Sequence, residues 1–416
     1  MDNFYLEKFA LRPQIIIEDV GADTSLIIVI PCFNEYNLID TLVSLKNCDS
    51  AHGSVEVIVV INASIDSAEK VIRQNKITLK QTNDWIKANT SEKLKFFLIV
   101  ENNLPSKHAG VGLARKIGMD EAVFRFEKIK NKQGVIVCLD ADCNCSKNYF
   151  VEIEKAFFEN RKANAASIKF EHNINTTLYD EKILKGITLY ELHLRYYIEA
   201  LRYAKFPFAF HTIGSCMAVR SGTYQKQGGM NKRKAGEDFY FLQKIIPLGH
   251  FIEIKSATVY PSPRVSDRVP FGTGKAMGTF LESNNHIYYS YHFKIFKILK
   301  IFFKDVPKFY EEGWSQEKSI AFFKPLVFLF LESVNFLQKI EEFKNNSTNF
   351  ESFKNRFYIW FNAFMVLKFV HYMRDNGYEN MNVVEAVNLL LAEMENRSKG
   401  SIIDENILLN KLRKKQ

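Results

Sequence analysis

The feature that most restricts how this chain can fold is an alternation. Short apolar, β-branched runs at 26–30, 55–61, 94–100 and 135–139 take turns with longer stretches whose apolar residues recur at helical spacing, at 37–46, from about 67, at 110–126 and at 149–160. Runs of that length with no polar face suit strands covered on both sides. Strands alternating with helices imply βαβ units and a mostly parallel sheet. Such sheets bind ligands beyond the carboxyl ends of their strands. The residues to inspect are therefore 32–35, 62–66, 101–107 and 140–144.

The pattern changes in the second half. Residues 183–205 read as a long helix rich in Tyr, Leu and Arg, 214–229 as a segment punctuated by Gly and Ser, 237–246 as a helix and 251–260 as a strand. The stretch 261–278 has the Pro, Gly, Ser and Arg content of a loop, either a domain boundary or a mobile lid. From about 285 onward Lys, Phe and Leu recur at helical spacing. The expectation is an α/β domain over 1–280 and an all-α domain over 281–416.

With 416 residues the chain has room for two or three domains. Its 47% hydrophobic and 25% charged residues exclude a disordered, collagen-like or disulfide-stapled chain. The net charge of +9 favours anionic partners. Nucleic acid is not expected among them, because the basic residues are not interleaved with aromatics on a recognised module. The six cysteines form no Cys-x-x-Cys pair and read as reduced thiols of a cytoplasmic protein. The first residues do not read as a signal peptide, and no run reaches the ~18 apolar residues of a spanning helix.

Chemistry is concentrated in two acidic motifs. Asp140-Ala141-Asp142 leaves the fourth strand with two carboxylates two residues apart. Buried carboxylates need a partner, and a hard divalent cation completed by diphosphate oxygens is one, Mg²⁺ or Mn²⁺ being the usual choices. The plainer alternative is an Asp capping the next helix. Gly236-Glu237-Asp238 opens a later helix, where acids are also favoured electrostatically; its functional reading is a general base with an acceptor-binding carboxylate.

Taken in order, these motifs resemble family 2 glycosyltransferases of the GT-A fold. Ile30-Pro31-Cys32-Phe33-Asn34-Glu35 resembles that family's nucleotide-binding start. Ile61-Asn62-Ala63-Ser64-Ile65-Asp66 sits where the family usually has Asp-Asp-Gly-Ser-x-Asp, and Gly110-Val111-Gly112-Leu113-Ala114-Arg115 resembles its Gly-x-x-x-Ala-Arg helix start. Asp140-Ala141-Asp142 matches the metal motif. Gly214-Ser215-Cys216-Met217-Ala218-Val219-Arg220, Gly228-Gly229 and Gly236-Glu237-Asp238 match the acceptor side. The likeness covers roughly residues 25–260.

The resemblance implies inverting sugar transfer from a nucleoside-diphosphate sugar to a hydroxyl acceptor. Pro31, Asn34 and Glu35 would line the base and ribose pocket, with Asn62 meeting the base. Asp142 would hold the metal and Asp140 would support it or bind ribose. Asp238 would be the base and Glu237 would position the acceptor, beside Gly214 and Ser215. Lys107 and Arg115 would add charge at the phosphates, or stand as solvated surface cations. Asn62 and Ile61 replace acids of the family pattern, which leaves uracil, guanine and thymine open, since Asn both donates and accepts. No Gln-x-x-Arg-Trp motif follows Asp238, so a non-processive enzyme is expected.

Three further features are singled out. Arg264 and Arg268, with the Gly-rich stretch 271–275, suit a loop closing over a phosphate or the acceptor, or a plain linker. His211 reads as structural or as a metal or sugar ligand. Residues 293–304, FKIFKILKIFFK, form a basic amphipathic helix that either packs into the C-terminal domain or lies on an anionic membrane surface. Two rival readings follow: a nucleotidyltransferase, disfavoured because the loop 31–36 lacks glycine, and a non-catalytic membrane-surface adaptor using the basic helix.

Overall fold

A computed structural model describes residues 3–266, 272–283, 285–397 and 403–416. Arg268 and Phe271 lie outside the described residues.

Eight strands form one sheet: β1 (Thr24–Cys32), β2 (Ser54–Ser64), β3 (Leu94–Leu104), β4 (Val135–Cys138), β5 (Asn144–Cys145), β6 (Ala165–Phe170), β7 (Met217–Arg220) and β8 (Phe251–Tyr260), in the order β3-β2-β1-β4-β7-β6-β8-β5. The first four expected strands are all present. They pair in parallel, as the alternation requires, with Ile28 opposite Val57 on one side and Val137 on the other. Every residue of β1 except Ser25 is buried, so the run is apolar because both faces are covered. β1 lies between β2 and β4, which makes it the point where the strand order reverses and a crevice opens at the carboxyl ends.

The far side of the sheet is mixed. β7 is antiparallel to both β4 and β6, while β6 and β8 are parallel. β6 and β7 were not expected. Ala165–Phe170 contains only one β-branched residue, and Met217–Arg220 is a four-residue strand inside the Gly- and Ser-punctuated segment. Between β3 and β4 runs the helix Val111–Lys128, most of whose residues are buried, charged ones included. Those charges are paired. Arg125 holds the buried Glu56 through Nε and through Nη2 at 2.6 Å. Asp120 accepts from Tyr5 at 2.6 Å, from Tyr224 at 2.8 Å and from the Leu11 N–H at 3.1 Å, which fastens the N-terminal segment.

The chain divides into two compact units. The sheet unit comprises residues 1–178, 211–278 and 416; the helical unit comprises 179–210 and 279–415. A single cut at 280 therefore does not describe the division, because the helix Glu181–Tyr203 clusters with the helical unit. The stretch 261–278 is not all loop either: a helix, Thr273–Glu282, begins within it.

The helical unit has an aromatic core. Phe302 packs against Phe309, Phe336, Phe357 and Phe361 with ring centroids 5.0–6.1 Å apart, mostly tilted. The basic helix is Phe293–Lys304, and its apolar face, including Ile295, Phe296, Leu299 and Phe302, is buried. Of the two expectations for this helix, its packing into the C-terminal helices is the one seen. No described helix is long and apolar enough to cross a membrane.

Candidate active site

The carboxyl ends of β1, β2 and β4 and the helix start at Glu237 bring the acidic residues of the sheet unit together. After β1 the chain turns through Asn34, whose backbone is left-handed (φ 50°). The Asn34 N–H donates to Asn75 Oδ1 at 3.0 Å, and Asn75 Nδ2 donates to the Asn62 carbonyl at 2.9 Å. Asn75, on the helix Glu69–Asn89, thus ties the β1 and β2 ends together. Sequence reasoning missed it, because an Asn inside a helix carries no motif. Pro31 and Asn62 are buried in β1 and β2.

Glu35 is 1% exposed. Its Oε1 accepts from the N–H groups of Tyr36 and Asn37 at 2.9 and 3.1 Å, ahead of the helix Leu38–Lys46. Arg264, from the segment after β8, grips both Glu35 oxygens, with Nη1 2.7 Å from Oε1, and also reaches Asp142 Oδ2 at 2.8 Å. Arg264 was expected at the acceptor; here one guanidinium joins the β1 turn to the Asp140-Ala141-Asp142 motif.

A second guanidinium does the same on the other side. Arg115, only 3% exposed, binds Asp140 through Nη2 and Glu237 through Nη1. Those partners lie 25 and 122 residues away in sequence. The alternative of a solvated surface cation does not apply to Arg115. Burial works against its charge, but Asp140 and Glu237 outweigh that and raise its pKa. Gly214 is required here, since a Cβ on it would collide with the Arg115 guanidinium. Gly236 is required for another reason: it holds φ 69°, a left-handed turn that sets Glu237 and Asp238 at the helix start.

The acids of the Glu237–Ile245 helix are perturbed. Burial pushes Glu237 up to about 7, with Arg115 pulling the other way. Burial also raises Asp238, opposed by Arg115 and by the N–H groups of Phe239, at 2.7 Å, and Gly214. Ser215 is buried beside Cys143. Ligand atoms of Asp140, Asp142 and Cys143 all lie within 4.8 Å of one another. Burial raises the Cys143 pKa and keeps it a neutral thiol, so the charge of the group comes from the two aspartates.

Lys107 and His211 stand outside the ion pairs described above. Lys107 is exposed in the turn after β3. His211 has Nε2 2.8 Å from Gln416 Oε1 and its ring edge-on to Phe170, a packing role.

The balance of charge is informative. Among the described residues this cluster holds five carboxylates, Glu35, Asp140, Asp142, Glu237 and Asp238, against the guanidiniums of Arg115 and Arg264. Carboxylates gathered in this way at a sheet rim suit a cation accompanied by an anionic ligand.

Comparison with known proteins adds a family match over part of the chain. Residues 27–227 match the family model of glycosyl transferase family 2. No curated protein matches the chain. Among solved structures, S. aureus TarS 1-349 is similar with 15% identity and a TM-score of 0.36, covering 81% of this chain and 90% of that one. TarS 1-349 in complex with UDP-GlcNAc gives 14% identity and a TM-score of 0.38 over 92% and 95% of the two chains. The mannosyltransferase PcManGT from Pyrobaculum calidifontis, in complex with GDP-Man and Mn2+, gives 14% identity and a TM-score of 0.36 over 99% and 90%. The chain thus carries, over residues 27–227, a segment similar to glycosyl transferase family 2, and this segment includes Arg115 and the Asp140-Ala141-Asp142 motif.

Proposed function

We propose that the protein transfers a sugar from a nucleoside-diphosphate donor to a hydroxyl acceptor, with inversion, with a divalent metal and without processivity. The observation that carries this reading is Arg115. Its fork joins Asp140 of one motif to Glu237 of the other, so the carboxylates on the leaving-group side and those on the acceptor side share one cluster.

Asp140 and Asp142 fit a hard divalent ion: two partly exposed carboxylates whose ligand atoms, with the Cys143 sulfur, lie within 4.8 Å of one another. Such an ion, when bound, stabilises the charge growing on a departing diphosphate. The chain's own residues do the rest. Asn34 Oδ1 is buried without a hydrogen-bond partner among the described residues and suits a nucleobase N–H. Asp238 would accept the acceptor's hydroxyl proton; its raised pKa brings it nearer to the working pH of a general base. Glu237, held by Arg115, would orient the acceptor. Attack from the Asp238 side, opposite the diphosphate, inverts the anomeric carbon. Non-processivity is supported by the missing Gln-x-x-Arg-Trp motif.

The test is nucleoside-diphosphate release from a panel of sugar nucleotides with Mn²⁺ or Mg²⁺. Asp238→Asn should lower kcat by ~10²–10⁴ while donor binding stays intact. Asp142→Ala should abolish both turnover and metal-dependent donor binding. Turnover at the wild-type rate in both variants would overturn the assignment, and NMR of the first-formed product reads the anomeric configuration.

A further inference from the structure

The six thiols are not equivalent. Cys32, Cys138, Cys143 and Cys216 are buried, whereas Cys48 and Cys145 are partly exposed. These two are also the pair that meets: their sulfurs are 3.5 Å apart although the residues are 97 positions apart in sequence. Cys48 follows the helix Leu38–Lys46, and Cys145 is in β5, just after the Asp140-Ala141-Asp142 motif. Ser44 holds the pair in place, accepting from the Cys145 N–H at 2.9 Å and lying 3.5 Å from its sulfur. One turn earlier, Thr41 donates to the Ala141 carbonyl at 3.0 Å. The backbones that carry the two sulfurs are therefore already fastened to each other, and forming an S–S bond of ~2.05 Å asks for a small side-chain movement.

We propose that Cys48 and Cys145 are an oxidisable dithiol, a modification site at which a peroxide forms one reversible disulfide. One of the two sulfurs, as its thiolate, attacks a peroxide oxygen and breaks the O–O bond, giving a sulfenic acid and hydroxide. The other thiol attacks that sulfenic sulfur; the S–S bond forms and water leaves. The released proton and hydroxide make a second water, so two thiols lose two electrons and hydrogen peroxide becomes two waters. The bond ties the end of the helix that follows Asn34 and Glu35 to the strand that follows Asp140 and Asp142.

The full chain, treated with stoichiometric hydrogen peroxide and alkylated after denaturation, should go from six free thiols to four. Peptide mapping should find a single cross-link, Cys48 to Cys145, that dithiothreitol removes. Cys48→Ser and Cys145→Ser should each abolish it. The proposal is overturned if both cysteines stay reduced, if either ends as a sulfinic acid without the cross-link, or if the disulfide engages another cysteine. The wild-type map alone decides this, whether or not the variants fold.

Discussion

In the sheet unit each guanidinium of the carboxylate cluster serves two carboxylates; in the helical unit one carboxylate serves two guanidiniums. Arg115 holds Asp140 and Glu237, and Arg264 holds Glu35 and Asp142. Glu191, fully buried, accepts from Arg195 at 2.8 Å and from Arg413 at 2.7 Å. The helical-unit triad shares one acid between two guanidiniums. Among the described residues the sheet-unit cluster gathers five carboxylates around two guanidiniums at a strand rim, where a bound ligand can stabilise the folded state.

The comparison breaks first at Arg115. Arg115→Met should cost about 3–5 kcal/mol in urea unfolding, because two carboxylates lose their shared partner in a buried setting, and it should also abolish transfer. Phe302→Ala should cost about as much, 3–5 kcal/mol, by cavity formation in the helical unit. Its kcat at a temperature where it is folded should nevertheless stay near wild type. Loss of turnover in folded Phe302→Ala would erase the functional distinction between the units.

Arg264→Gln sharpens the contrast. With the competing cation gone from Asp142, the Asp140–Asp142 pair should bind Mn²⁺ about tenfold more tightly by calorimetry, a modest part of the ~4 kcal/mol that unit charges 4 Å apart exchange at an effective dielectric of 20. Unchanged or weaker binding would show that Arg264 supports the metal rather than competing with it.

The smallest effects are in pH. His193, in the helical unit, is half-buried with Nδ1 2.8 Å from Ser290 Oγ, and desolvation lowers its pKa from 6.5 to about 4. Its neutral form stabilises the fold above pH 6.5, and that contribution is lost as pH falls toward 4. Glu237 has the opposite sign. Raised from 4.5 to about 7, it stabilises the fold when protonated, and this is lost as pH rises through 7. Urea midpoints from pH 4 to 7.5 should therefore flatten on the acid side in His193→Gln and on the neutral side in Glu237→Gln. Identical profiles in wild type and variants would remove both assignments.

Much of this was legible beforehand where the signal is local. The apolar runs became β1, β2 and β4, whose faces are covered so that nearly every position is apolar, and the edge strand β3, which is only partly buried. β6 and β7 were illegible because short antiparallel strands inside a mixed sheet take their order from neighbours already in place. The Asp140 and Glu237 motifs were legible as residue types at element ends. Their meeting was not, since the residue that joins them, Arg115, reads in sequence as one more cation on a helix. Asn75 and the Cys48–Cys145 pair were illegible for the same reason.

What the amino-acid order determined by itself was the alternation of strand and helix, the acids at the strand ends and the family they resemble, because hydrophobic period and local capping act over a few residues. What only the tertiary structure decided was which acids share a guanidinium, which cation is buried and which thiols touch. Those facts depend on contacts between residues tens to hundreds of positions apart, and packing alone sets them.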